Sequence, residues 1–215
     1  RRPQNLGPVG QDSDTSTELP IRVGLFGGTF DPPHHGHIAV AADVADVLDL
    51  DQVLWIPAGQ PPHKSLVSVA PQAVRFEMTH AAVKADSRFE VSDIEVERGG
   101  VSHTLDTVRA LRESYPGTIL FLIIGTDQFR DFGTWRNPEK LLELTELVVM
   151  DRGGQRGQDY VPEVEDIGKV HFVSVGQVDI SSTDVRLAAH NGKDLNALVP
   201  AKIAEIILRE GLYAD

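Results

Sequence analysis

His34 and His37 close the string Gly27-Gly28-Thr29-Phe30-Asp31-Pro32-Pro33-His34-His35-Gly36-His37. Each imidazole can donate, accept or carry a proton near neutral pH. The glycine pair can adopt backbone angles closed to other residues and lets the chain approach a ligand closely. These residues need elements to position them. Ile21 to Phe26 is short, β-branched and apolar, as a buried parallel strand should be. From Ile38 the pattern turns helical, with Ile38, Ala41, Ala42, Ala45 and Leu48 on one face. The N-terminus of that helix points into the histidine loop, where free N–H groups and the helix dipole attract phosphate.

The remaining segments repeat this arrangement. Val53 to Pro57 is a second apolar strand, followed by a proline-rich loop that carries Lys64. An apolar stripe of Val74, Met78, Ala81, Ala82 and Ala85 predicts a helix started by Pro71. Phe89 to Val96 alternates in two opposite phases and reads as a strand with a bulge. Ser102 or Thr104 can cap a helix that buries Leu105, Val108 and Leu111. Thr118 to Ile124 is an uninterrupted apolar run, buried on both faces, that delivers Gly125-Thr126-Asp127 to its carboxyl end. Trp135 follows, then a helix over 138–144, strands over 147–150 and 170–175, and a helix capped by serines near Ser181. The last helix starts near Pro200, packs Ile203, Ile206 and Ile207, and stops at Gly211.

Alternation of strand and helix predicts a doubly wound, Rossmann-like parallel sheet in a three-layer α/β/α single domain over 21–215. Residues 1–20 lack any period and are expected to be a disordered tail, and 152–169 is a glycine-rich, acidic connection. His34 and His37, Lys64, Asp127 to Trp135, and Ser181 to Arg186 all follow strands, so they converge on one sheet edge. A formal net charge of −12 argues against general nucleic-acid binding. With no cysteine there can be no disulfide or thiolate metal site, and no signal or membrane-spanning run is present. A cytoplasmic location is the expectation, and homo-oligomerisation is left open.

GGTFDPPHHGH resembles the signature G-G-[ST]-F-D-P-x-[HT]-x-G-H of the adenylyltransferase branch of the nucleotidyltransferase superfamily. With the PPHK loop, Thr104-Leu105-Asp106-Thr107, Gly125-Thr126-Asp127, Trp135 and ISSTDVR, most of the chain is similar to nicotinate-nucleotide adenylyltransferases. That resemblance implies ATP and nicotinate mononucleotide as substrates, with Mg²⁺ bound through the ATP phosphates and no protein metal cage. It implies that His34 and His37 hold the ATP phosphates, His37 nearest the α-phosphate. Gly27, Gly28, Thr29 and Phe30 would line both nucleotide sites with backbone. Ser181, Ser182, Thr183 and Arg186 would grip the β- and γ-phosphates, and Gly125 with Asp127 would bind adenosine. Trp135 would stack on the pyridine ring, Thr104 would offer backbone to its carboxylate, and Lys64 would neutralise a phosphate.

Two positions depart from the family pattern. His103 stands where an aromatic residue commonly precedes Thr104, and Arg152-Gly153-Gly154 replaces Arg-Pro-Gly. Nicotinamide mononucleotide remains an alternative acceptor, with phosphopantetheine a weaker one. A nucleotide-binding regulator on the same fold is the alternative outside catalysis.

Overall fold

The computed structural model describes residues 20–59, 69–100, 103–151, 170–176 and 179–214. Their centre is a parallel sheet in the order β3-β2-β1-β4-β5-β6. The strands are β1 (Arg22–Gly28), β2 (Gln52–Pro57), β3 (Phe89–Val91), β4 (Ile119–Gly125), β5 (Glu146–Asp151) and β6 (Val170–Ser174). The chain runs outward from β1 through β2 to β3, then returns to β4 on the other side of β1. A crevice therefore opens beyond the carboxyl ends of β1 and β4, where ligands bind in open α/β sheets.

The helices are α1 (His35–Val47), α2 (Gln72–Ala82), α3 (Ile94–Arg98), α4 (Thr104–Ser114), α5 (Thr126–Arg130), α6 (Pro138–Leu144), α7 (Ser182–His190) and α8 (Ala201–Arg209). Alternating strand residues divide the core. Phe26, Val53, Trp55, Phe121 and Ile123 face α1, α2, α7 and α8. Val23, Leu25, Leu54, Leu122 and Ile124 face α4, α5 and α6. The expected three layers result, and β4 is buried along its central residues. Gly24 suits the middle of β1 because a Cβ there would lie 2.9 Å from both Ile123 Cδ1 and Leu50 Cδ1.

Several expectations are corrected. The strand anticipated over 89–96 ends at Val91, because β3 is an edge strand that pairs only with β2 over three residues. Ile94, Glu95 and Val96 instead enter α3, where Glu95 is buried and accepts a hydrogen bond from Thr107 Oγ1 at 2.7 Å. The first helix starts at His35, ahead of Ile38, and Val40 and Val44 join Ala41 and Ala45 in its buried face, with Ile38, Ala42 and Leu48 partly buried beside them. Thr104 is the first residue of α4 rather than its cap, which is His103, and Ser102 lies outside the described residues. Helix α5 and the 3₁₀ turn Phe132–Thr134 were not anticipated. In α2 the buried residues are Arg75, Met78, Thr79 and Ala82, with Val74 and Ala81 partly buried against the same core, whereas Ala85 is exposed in the 3₁₀ turn that follows. The tail over 1–19, Lys64 and the connection over 152–169 lie outside the described residues.

Candidate active site

The carboxyl end of β1 leads into the loop 29–34, and side chains from two other helices grip that loop. Phe30 has φ +48°, a left-handed conformation that strains an aromatic residue unless its surroundings hold it. Arg75 Nη1 donates to Thr29 O at 2.8 Å. Arg186 Nη1 donates to Asp31 O at 2.8 Å, and Ser182 Oγ donates to Pro32 O at 2.9 Å. The Phe30 ring is buried against Phe26, Trp55 and His37, so the residue offers a ligand its backbone.

His34 is the N-cap of α1. Its Nδ1 accepts from His37 N at 3.3 Å, so in the neutral ring the proton sits on Nε2, which is then the donor. The His34 and His37 rings are stacked with centroids 3.7 Å apart. Gly36 makes the arrangement possible, since a Cβ there would lie 2.9 Å from His34 Nδ1 and 3.2 Å from Ile180 O. Ile180 immediately precedes the cap of α7, so the N-termini of α1 and α7 pack against each other. Gly27 differs from the other glycines of β1, because a Cβ there would meet nothing within 4 Å. Packing among the described residues does not require glycine at that point, and its bare backbone leaves room for close approach.

Helix α7 is closed by a capping box. Ser181 Oγ accepts from Asp184 N at 3.1 Å, and Asp184 Oδ2 accepts from Ser181 N at 2.8 Å. Hydrogen bonds from the Ser181 hydroxyl and backbone hold the Asp184 carboxyl below its usual range. Ser181 therefore serves the cap, while Ser182 and Arg186 serve the loop. A guanidinium has five N–H donors, so the contact of Arg186 with Asp31 O and a second with Thr183 Oγ1 at 3.1 Å are compatible with a phosphate contact.

The other flank of the crevice comes from the opposite sheet face. Gly125 ends β4, and Asp127 lies in the first turn of α5, its side chain 83 % exposed and 3.8 Å from Arg130. Trp135 is half-buried and packs on Phe132 with ring centroids 5.4 Å apart. Arg136 Nη1 lies 3.2 Å from Asp106 Oδ2 and so ties the Trp135 segment to the first turn of α4, where Thr104 stands. Arg98 Nη2 donates to Thr107 Oγ1 at 2.9 Å, which fixes that turn from the α3 side. Thus Ser182 and Arg186 are bound to the loop that carries His34 and His37, and the segments bearing Thr104 and Trp135 are joined through Arg136 and Asp106. Among the described residues no group of three or more His, Asp or Glu side chains is placed to hold a metal ion.

Sequence reasoning missed the buried polar residues behind the loop. Asp31 Oδ1 accepts from Tyr213 OH at 2.6 Å and from Ala70 N at 3.2 Å. Burial, reinforced by the Asp31 hydrogen bond, raises the Tyr213 hydroxyl above its ordinary value near 10. A raised folded-state pKa contributes stability below the unfolded value and loses it as pH rises beyond that value. The urea midpoint should therefore fall above about pH 10 more steeply in the wild type than in Tyr213→Phe. Equal slopes would show that Tyr213 titrates in the fold as it does in water.

The family model "Cytidylyltransferase-like" matches residues 25–188. A Rubrobacter xylanophilus protein, named "Probable nicotinate-nucleotide adenylyltransferase", is 40% identical over 197 residues, 90% of this chain and 92% of that one. A Thermus thermophilus protein of the same name is 42% identical over 193 residues, 90% of this chain and 100% of its own. The chain belongs to the nicotinate-nucleotide adenylyltransferase family. Among solved structures, Plasmodium falciparum nicotinic acid mononucleotide adenylyltransferase complexed with NaAD shares the fold. Its TM-score is 0.70 at 18% identity, covering 90% of this chain and 97% of that one. Every site residue expected from Gly27 to Arg186 falls within the span matched by the family model, whereas Tyr213 lies beyond it.

Proposed function

We propose that this member of the nicotinate-nucleotide adenylyltransferase family transfers the adenylyl group of ATP to nicotinate mononucleotide. The products are nicotinate adenine dinucleotide and pyrophosphate. One observation carries the reading: the N-termini of α1 and α7 meet on the loop 31–34, with His34, His37 and Arg186 beside them. The acceptor 5′-phosphate is already nucleophilic at neutral pH, so the reaction needs positioning and positive charge rather than a general base. An acceptor oxygen forms a bond to the α-phosphorus as the bond to the bridging oxygen of the β-phosphate breaks, and pyrophosphate carries away the electron pair. His37, aided by His34, stabilises charge on the α-phosphate oxygens. Ser182, Thr183 and Arg186 hold the departing phosphates at the α7 terminus, where the helix dipole assists.

Gly27, Gly28, Thr29 and Phe30 line both nucleotides with backbone. Gly125 and Asp127 take the adenosine, Trp135 stacks on the pyridine, and Thr104 meets its carboxylate. Lys64 neutralises an acceptor or ATP phosphate. Mg²⁺ fits this donor set, because it prefers phosphate oxygens and water and needs few protein carboxylates. When bound to ATP it neutralises phosphate charge. On the acceptor side Asp106 is close to Thr104 in sequence, but its pairing with Arg136 cancels a charge that would otherwise repel a pyridine carboxylate.

The test is pyrophosphate release from Mg²⁺-ATP with nicotinate mononucleotide, nicotinamide mononucleotide and phosphopantetheine in parallel. The nicotinate compound should have a kcat/KM at least about 100-fold higher, equivalent to about 2.7 kcal/mol. Equal rates with both pyridine nucleotides would keep the reaction and remove the specificity, and no release with any acceptor would overturn the reading.

A further inference from the structure

Arg75 is the least exposed charged residue among those described, at 2%. Its guanidinium sits among backbone carbonyls. Nε donates to Ala70 O at 3.2 Å, Nη1 to Thr29 O at 2.8 Å, and Nη2 to Ala58 O at 2.8 Å and Gly59 O at 3.0 Å. These acceptors belong to the segments following β1 and β2 and to the residue leading into α2. Carbonyl dipoles repay the desolvation of a cation only in part, and an apolar side chain of similar volume would stabilise such a site more cheaply. Burial accordingly lowers the Arg75 pKa, while the charge of Asp31 opposes that shift. A costly group in this place requires another explanation than stability.

The arrangement of peptide planes supplies one. In a trans peptide the C=O and N–H point in opposite directions. Arg75 draws the Thr29 carbonyl towards α2, so the Phe30 N–H faces away from it. The Ala58 carbonyl is drawn the same way, and Ala58 N is held by Gly28 O at 2.9 Å. Asp31, fixed by Tyr213 and Ala70, keeps the next turn of the loop in register with these planes. On the adenylyl-transfer reading above, we infer that Arg75, backed by Asp31 and Tyr213, is a positioning residue for the reaction. It orients the backbone after β1 toward the nucleotide phosphates without touching substrate itself.

The discriminating readout is a ratio, which a partly unfolded sample cannot alter. Turnover of the two diastereomers of adenosine 5′-O-(1-thiotriphosphate) with nicotinate mononucleotide and Mg²⁺ reports how the α-phosphate is seated. Arg75→Lys keeps the charge but presents three donors from one point in place of a planar fork. It should change the kcat/KM ratio of the diastereomers by at least about fivefold, or about 1 kcal/mol, while far-ultraviolet circular dichroism stays native. A folded variant with a smaller change overturns the inference. If Arg75→Lys does not fold at the assay temperature, Tyr213→Phe decides on the same criterion, since it removes only the hydroxyl behind Asp31. Wild-type protein that transfers no adenylyl group overturns both readings, whereas an active wild type with unmoved ratios overturns this one alone.

Discussion

Replacing His37 with alanine is expected to lower kcat by about 10²–10³-fold, the usual cost of removing a donor to charge that develops in a transition state. The side chain is half-buried in the first turn of α1, against the rings of Phe30, Phe26 and His34. Its removal leaves the cap intact, because the cap bond uses the His37 backbone N–H and the His34 ring. Stability should therefore change far less than turnover, and KM for ATP should move little compared with kcat. Steady-state kinetics beside a thermal melt would check both. Normal kinetics with this variant would sink the mechanism.

Gly36→Ala is expected to act through geometry instead. The new methyl carbon would lie 2.9 Å from His34 Nδ1 and 3.2 Å from the Ile180 carbonyl. Neither neighbour yields freely. The His34 ring is buried and stacked on His37, and Ile180 is backbone ahead of the α7 cap. Relief has to come from spreading α1 and α7 apart, which also moves Ser182 and Arg186 off the Pro32 and Asp31 carbonyls. Overpacking of this kind costs about 1–3 kcal/mol of stability. A misplacement near 1 Å at the reacting groups can cost about 10²-fold in rate, so kcat/KM should fall by that order. Melting temperature and kcat/KM measured on one preparation would separate the two effects. Unchanged activity would show that the two helix termini are not coupled.

The sequence was most readable where local pattern and global role coincide. The strand, glycine turn and H-x-G-H string predict the β1–loop–α1 unit because chain neighbours provide each of its parts. The apolar run of β4 and the Pro138 start of α6 were legible for the same reason. Where the outcome depends on partners distant in sequence, the reading failed. Glu95 enters a helix because Thr107 awaits its carboxylate, and nothing within the alternation of 89–96 announces that. Arg75 looks like a solvated charge on an amphipathic helix until β1 and β2 turn their carbonyls toward it. Its place in the buried stripe with Met78 and Ala82 was the available signal. Ser181 was read as both cap and phosphate ligand, and the capping part is seen in its contacts with Asp184.

The contacts that hold the histidine loop also bear on how the molecule assembles. Ser182 and Pro32 are separated by 150 positions, Arg186 and Asp31 by 155, and Tyr213 and Asp31 by 182. Closing such long spans costs more entropy than pairing nearby strands, so contacts of this kind form late. The sheet can take its order while the loop is still ungripped. Competence to bind nucleotide is thus expected to come late as the chain folds, and to be lost when α7 or the segment bearing Tyr213 lifts away.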